Sequence, residues 1–197
     1  VCNAQDQVWS IAEDLNGEIW LGTIHGLWMA DPVSNKVQKY RFPQGVAEVL
    51  NRSTINSLYL DGNNVLWCGS TSDGLGLIDL RTNKVNYISS NFSSVSNLKS
   101  NSIRAIYEDK GGLVWIATKF DGCNIYDRRQ RNFEHIVAKD GQFAGLSNEF
   151  VMCVYEEDDT NVWIGTKYGG LNRWDRKKGT FTVFHHNLVY AGKKYSN

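Results

Sequence analysis

The amino-acid sequence predicts an all-β protein in which one four-stranded antiparallel sheet is repeated four times. Four tryptophans recur at intervals of 47, 48 and 48 residues, namely Trp20, Trp67, Trp115 and Trp163. Each is followed by an aliphatic residue or Cys, then by Gly or Ala, then by Ser or Thr. An acidic residue stands six positions before each Trp, and an Asp stands eleven or twelve positions after it. Agreement at four places identifies a structural repeat.

The third repeat shows why each unit is expected to contain four strands. Its apolar runs are rich in Ile, Val, Trp, Tyr and Phe, which favour strands, and turn residues bound each run. These runs are Ile103–Glu108, Val114–Thr118, Cys123–Tyr126 and Asn132–Ile136. Glycines in the first two connections supply the positive φ angles of tight hairpins. Since no segment sustains a helical period, each unit is expected to be a β-meander.

A meander of about 48 residues is the size of one blade of a β-propeller. The expected blades cover approximately residues 6–45, 53–92, 101–140 and 149–190. Because one sheet cannot bury either face alone, we expect the repeated Trp to pack against the neighbouring blade. We expect the four blades to be an incomplete part of a larger propeller. The two open apolar faces would then favour self-association of two copies.

Composition and charge exclude several classes of protein. The 21 Lys and Arg residues balance 21 Asp and Glu residues, so the chain has no general attraction to nucleic acid or anionic lipid. Hydrophobic residues form 42% of the 197 positions, too many for a disordered chain. No apolar stretch approaches the roughly 18 residues of a membrane-spanning helix, so direct membrane insertion is not expected. The N-terminus shows neither a signal peptide nor a Met, which favours an excised fragment.

Two stretches resemble a known repeat family. Residues 103–118, with the Gly turn before Trp115, and residues 163–175 are similar to two-component regulator propeller repeats. The resemblance implies the periplasmic sensor part of an inner-membrane, hybrid two-component protein of the Bacteroidetes type. In such proteins a linking domain, a membrane helix and a histidine kinase follow the propellers. The signal is often an oligosaccharide derived from a glycan.

The sequence shows no catalytic, metal or cofactor site. Asp14, Asp61 and Asp109 precede tight hairpins, where we expect their carboxylates to accept backbone N–H groups. They lie a blade apart, whereas paired acid and base groups need a separation of roughly 5–9.5 Å. Metal-ligand spacing is absent among the histidines, which are His25, His135, His185 and His186.

The cysteines are expected to be structural. Cys68, Cys123 and Cys153 stand where other repeats carry an apolar or small residue. No Cys-x-x-Cys spacing indicates a metal site. We therefore expect three buried free thiols that act as small hydrophobic residues.

Candidate ligand-binding residues are those that differ between repeats at one edge of the propeller. In this architecture the loops from the second to the third strand share a face with the starts of the innermost strands. Non-repeating residues there are free to specialise. Aromatic rings, Lys and Arg suit a sugar, particularly an acidic one. The candidates are His25, Lys119, Phe120, Asp121, Lys167, Tyr168, Trp9 and Arg104.

The favoured function is an extracytoplasmic sensor or ligand-binding propeller segment with no enzymatic activity of its own. Its expected partners are an oligosaccharide, a second copy of the chain, and the linking domain and kinase of the full-length protein. A protein-interaction scaffold is the first alternative. A propeller hydrolase or lyase that acts on glycans is the second, since fold alone does not separate these functions.

Overall fold

A computed structural model describes residues 7–90, 98–129, 132–138 and 145–185, and the backbone of residues 188–190 and 193–195. Sixteen strands form four antiparallel sheets, each a meander in chain order. Blade 1 contains β1 (Val8–Glu13), β2 (Ile19–Thr23), β3 (Gly26–Asp31) and β4 (Lys36–Lys39). Blade 2 contains β5 (Ile55–Leu60), β6 (Val65–Ser70), β7 (Leu75–Asp79) and β8 (Lys84–Ile88). Blade 3 contains β9 (Ile103–Glu108), β10 (Leu113–Thr118), β11 (Cys123–Asp127) and β12 (Asn132–Ile136).

Blade 4 contains β13 (Val151–Glu156), β14 (Asn161–Thr166), β15 (Leu171–Asp175) and β16 (Thr180–Phe184). A separate hairpin follows, formed by β17 (Leu188–Tyr190) and β18 (Lys193–Tyr195). A short 3₁₀ helix, Val46–Asn51, connects blades 1 and 2. The all-β arrangement predicted from the repeats is confirmed. Within the described residues, no helix is long and apolar enough to cross a membrane.

The first strand of each blade carries a β-bulge near its start. In blade 3, Ile103 pairs with Thr118 and Ala105 pairs with Ala117, which leaves Arg104 as the extra residue. The same shift occurs at the equivalent positions of the other blades, where the extra residues are Trp9, Asn56 and Met152. A bulge re-aims one side chain without breaking the sheet. The variable position near the start of each first strand is therefore the bulge residue.

The hydrophobic core lies between consecutive blades. The first strands contact each other in the order β1, β5, β9, β13. Trp20, Trp67 and Trp115 are each nearly fully buried, in clusters that join their own blade to the following one. Trp163 is only half-buried, because no described blade covers this face of blade 4. It stacks instead on Phe184 of its own blade, with 5.4 Å between the ring centroids.

Close approach of the blades explains the Gly two places after each Trp. A Cβ atom built on Gly22 would lie 2.6 Å from the carbonyl oxygen of Ile55 in blade 2. One built on Gly69 would lie 2.6 Å from Cγ2 of Ile103 in blade 3. Both distances are shorter than side-chain packing tolerates. The equivalent Ala117 is fully buried between blades 3 and 4, where the spacing accepts one methyl group.

An acidic residue links the first hairpin of each blade to its Trp. Asp14 Oδ1 accepts hydrogen bonds from the backbone N–H groups of Asn16 (2.8 Å) and Glu18 (3.1 Å). The other oxygen, Oδ2, accepts a bond from Trp20 Nε1 at 2.9 Å. Asp61 and Asp109 make the same bonds to Trp67 and Trp115, at 2.7 and 2.8 Å. The carboxylate therefore holds the turn, as expected, and also orients the indole.

The structure corrects the expectation for Cys153, which is exposed, whereas Cys68 and Cys123 are buried. Cys153 lies on the face of blade 4 that no described blade covers, beside Gly165. The equivalent Ser57 is buried because blade 3 covers that face of blade 2. Burial raises the pKa of the Cys68 thiol well above its ordinary value and that of Cys123 to about 12. Both buried thiols are therefore protonated at neutral pH.

Candidate ligand-binding face

The tip face of the propeller is the edge that carries the β2–β3, β6–β7, β10–β11 and β14–β15 loops. In each blade the residue after the second strand donates a backbone hydrogen bond to the segment that leads into the first strand. Lys119 N–H bonds to Ser102 O at 3.0 Å, and Lys167 N–H bonds to Phe150 O at 2.9 Å. These bonds place the loop tips beside the bulge residues.

Each tip loop has a rigid base. In blade 3, Thr118 Oγ1 donates to Gly122 O at 2.9 Å and accepts a bond from the N–H of Asp121 at 3.1 Å. Thr166 Oγ1 donates to Gly170 O at 2.9 Å in blade 4. The glycines that end these loops have positive φ angles of 67° and 77°, which favour Gly over residues with a Cβ. The loop bases are thus defined by the backbone, and the tip side chains are free to vary.

Aromatic and cationic side chains meet on the tip face at the junction of blades 3 and 4. The ring of Phe150 lies 6.2 Å from that of Phe120 and 6.1 Å from that of Tyr168, measured between centroids. Three cations lie over the Phe150 ring at 5.2, 5.9 and 4.9 Å, namely Arg104, Lys119 and Lys167. We call these six residues, Arg104, Lys119, Phe120, Phe150, Lys167 and Tyr168, the Phe150 platform.

The platform presents apolar area and positive charge to solvent. Phe120 and Tyr168 are 56% and 61% exposed, which is unusual for large aromatic side chains. In the part of the chain that the structure describes, no carboxylate forms a salt bridge with a platform cation. Nε of Arg104 is buried and has no hydrogen-bond partner there. The site therefore has both stacking surface and unused hydrogen-bond donors.

The magnitudes show how the platform cations would respond to an anion. A cation over an exposed ring gains about 0.5–1 kcal/mol. A hydrogen bond to a charged group contributes about 1.5–3 kcal/mol. An anionic group placed between the cations would therefore draw the Lys ammonium groups away from the rings. The rings would at the same time become available to an apolar ligand surface.

The structure brings together five of the eight sequence candidates. Asp121 lies in the same loop as Phe120, but its hydrogen bond to Thr118 is made by its backbone N–H and not by its carboxylate. His25 and Trp9 lie on blade 1, away from the platform, and Trp9 is exposed as the bulge residue of β1. Phe150 was missed by the sequence reasoning, which considered loop tips and bulges only. The signal was an aromatic residue at a position where the other repeats carry Gln7, Thr54 and Ser102.

A second concave region lies on the same face between blades 1 and 2, and it was also not predicted. This cleft has a volume of about 630 Å³. Its charged lining residues are Lys39, Arg41, Arg52, Glu48 and Asp73. Asp73 accepts hydrogen bonds from Ser53 at 2.7 Å and Ser72 at 2.8 Å. The mixed charges of the cleft contrast with the uniformly positive platform.

The repeats match a known family model in two places. Residues 97–120 and 145–168 match the two-component regulator propeller. Two segments of the chain, around the third and fourth blades, thus match the model of this repeat family. The resemblance inferred from the sequence is thereby confirmed. All six residues of the Phe150 platform lie within the two matched stretches of the regulator propeller.

Solved structures of low sequence identity share the fold of this chain. One is described as the extracellular domain of a hybrid two-component system from B. thetaiotaomicron, with 22% identity and a TM-score of 0.77 over 92% of this chain and 25% of that chain. PorZ, a surface component of the type-IX secretion system of Porphyromonas gingivalis, has 18% identity and a TM-score of 0.70 over 93% and 28% of the two chains. Virginiamycin B lyase from Staphylococcus aureus has 11% identity and a TM-score of 0.67 over 98% and 59%.

These structural similarities establish the fold of the chain, and the β-propeller expected from the sequence is confirmed. The chain spans about a quarter of the length of the B. thetaiotaomicron domain. The sequence matches no curated protein. Within the described residues, no three His, Cys, Asp or Glu side chains are grouped so that they could hold a metal ion.

Proposed function

We propose that the chain is the sensor part of an extracytoplasmic, periplasmic region of a hybrid two-component protein. We also propose that its Phe150 platform binds an oligosaccharide derived from a glycan. The observation that carries the proposal is the exposed, rigidly supported group of aromatic and cationic side chains on the tip face. The family match and the similarity to an extracellular sensor domain support the sensor role.

The platform has the chemistry that a sugar ligand needs. Aromatic rings pack against the apolar faces of sugar rings, while a few placed polar groups orient the ligand. The rings of Phe120 and Tyr168 each lie about 6 Å from that of Phe150, at interplanar angles of 59° and 88°, so three rings adjoin the site.

Binding at this place would couple two blades. The platform takes Arg104, Lys119 and Phe120 from blade 3 and Lys167 and Tyr168 from blade 4. Gly122 N–H of blade 3 already bonds to Glu149 O ahead of blade 4, at 2.9 Å. A ligand across both tips stabilises one arrangement of the blades. In the full-length protein, a linking domain and a histidine kinase would respond to that shift in population.

Thermal unfolding with a panel of oligosaccharides tests the proposed function. A ligand at 100 times its Kd adds about 2.7 kcal/mol to the free energy of unfolding. We expect such stabilisation in the wild-type chain and its loss in Phe150→Leu. Tyr155→Leu is the matched control, because it removes an exposed ring from the open face of blade 4, away from the tip loops. Equal stabilisation of wild type and Phe150→Leu, or none with any oligosaccharide, would reject the platform as the binding site.

We further propose that two copies of this chain associate through the uncovered faces of blades 1 and 4. Ile11 of blade 1 and Tyr155 of blade 4 are 66% and 65% exposed, and large apolar surfaces of this kind favour association. In a longer protein the same faces would pack against further blades. Light scattering on the 22.3 kDa chain should show a dimer. Ile11→Lys combined with Tyr155→Lys should give a monomer, whereas Val33→Lys at a hairpin should not. A wild-type monomer at all concentrations would contradict the proposal.

A further inference from the structure

The Phe150 platform contains three positive charges that form no salt bridge with a described acidic side chain. Arg104, Lys119 and Lys167 all lie within 6 Å of the Phe150 centroid. Several arginines elsewhere in the described part of the chain are paired with acids. Arg128, Arg173 and Arg176 form salt bridges of 2.8, 3.1 and 2.7 Å. Because the whole chain has zero net charge, this local excess is a property of the site.

From this excess we propose that the oligosaccharide bound by the Phe150 platform carries negative charge, as carboxylate or sulfate groups. The inference rests on the proposed function and names the chemical class of its ligand. Three like charges around one ring repel one another, and an anionic group between them reverses that cost. Carboxylate and sulfate oxygens share the acceptor geometry that Arg and Lys donors prefer.

The geometry of Arg104 supports an acceptor at this place. The β-bulge of β9 removes Arg104 from the pairing of its strand with β10. Its guanidinium group lies 5.2 Å from the Phe150 centroid, and its buried Nε has no acceptor in the described residues. Buried donors of this kind are normally hydrogen-bonded. Arg104 as a whole is only half-buried, so an anionic ligand group that pairs with its guanidinium group would offset part of the cost of this unpaired donor.

The exposed rings distinguish a charged sugar from a simple anion. A free inorganic ion would use the cations but leave Phe120 and Tyr168 uncovered. These side chains flank Phe150 at nearly equal spacings of 6.2 and 6.1 Å. A ligand that covers them must present apolar ring faces beside its charge. An acidic oligosaccharide combines both features.

Calorimetric titration of the whole chain with three disaccharides tests the ligand class. One contains glucuronate, one is its neutral glucose counterpart, and one carries sulfate. The platform variant is Lys119→Gln with Lys167→Gln. The control variant, Lys110→Gln with Lys177→Gln, removes the same charge from exposed residues on hairpins at the opposite edge.

We expect the wild type and the control to bind an anionic disaccharide at least about tenfold more tightly than the neutral one, a difference of about 1.4 kcal/mol. The platform variant should lose this preference, and added salt should weaken it in the wild type. Comparing the affinities for the glucuronate-containing and the sulfated disaccharide shows which anionic group the platform binds. If the neutral disaccharide binds equally well and Phe150→Leu weakens it, the charge inference fails and the proposed function stands. If the control variant loses as much of the preference for the anionic disaccharide as the platform variant does, the inference fails. If no disaccharide binds to the wild type, both the inference and the proposed function fail.

Discussion

The interface between blades 3 and 4 is ionic where the interface between blades 1 and 2 is apolar. Arg176 of blade 4 donates to Asp109 of blade 3 at 2.7 Å and lies 3.4 Å from Glu156. The Asp109 and Glu156 side chains are almost completely buried. At the equivalent positions of blade 2, Leu80 and Leu60 pack against the core that contains Trp20. Leucines therefore stand in blade 2 at both of the positions that form the Arg176–Glu156 ion pair in blade 4.

The difference shows that the Asp of the first hairpin can bond both the turn backbone and the Trp indole without an arginine beside it. Asp14 keeps its bonds to two backbone N–H groups and to Trp20, although no cation among the described residues forms a salt bridge with it. Asp109 has the same Trp bond and adds a bond to Arg176. A buried ion pair and an apolar pair of similar volume can stabilise an interface about equally, whereas half of an ion pair cannot.

The largest effect is expected from breaking the ionic interface. Arg176→Met leaves two buried carboxylates without a cation, which should lower the free energy of unfolding by about 3–5 kcal/mol. Urea denaturation measures the loss. Arg81→Met is the control, because its ion pair with Asp79 is largely exposed and contributes about 0–1 kcal/mol. A loss below about 1 kcal/mol in Arg176→Met would show that the ionic interface is not a stabilising element.

The same variant should loosen one interface more than the other. Cys123 lies in the core between blades 3 and 4, and Cys68 lies in the core between blades 1 and 2. In the native chain, alkylation near pH 8 should modify Cys153 alone among these three. Burial raises the pKa of the other two thiols and shields them.

In Arg176→Met, labelling of Cys123 should accelerate at least about tenfold more than labelling of Cys68, since blades can open locally. Mass spectrometry of the labelled peptides resolves the two sites. Equal acceleration at both cysteines would mean that the four blades open as one cooperative unit.

The smallest effect on stability is expected when the ion pair of blade 4 is replaced by the apolar pair of blade 2. Glu156→Leu combined with Arg176→Leu copies the pair found between blades 1 and 2. Glu156 is removed together with its cation. Asp109 keeps its turn and Trp115 bonds as Asp14 does, so stability should return to within about 1–2 kcal/mol of wild type. A double-mutant cycle measures the coupling, with each single variant as its own control. If the losses of the two single variants simply add, the apolar pair depends on its surroundings in blades 1 and 2.

Local patterns in the sequence were sufficient to predict the strands, the hairpin turns and the Asp turn. Trp115 and Gly112, for example, lie within one hairpin of Asp109, so their relation is visible in sequence spacing. The exposed position of Cys153 was not visible, because it depends on whether a sheet covers that face. The pairing of Arg176 with Asp109 was also missed, since 67 residues separate them.

The sequence by itself determined the repeat, the four-stranded blades and most residues of the tip face, since period and turn chemistry act over a few residues. Only the tertiary structure decided which of those residues meet. Phe150 gathers Arg104 from one blade and Lys167 from the next because adjacent blades are tied by backbone bonds at the tip face. Contacts of that kind depend on packing between sheets, which no periodicity along the chain records.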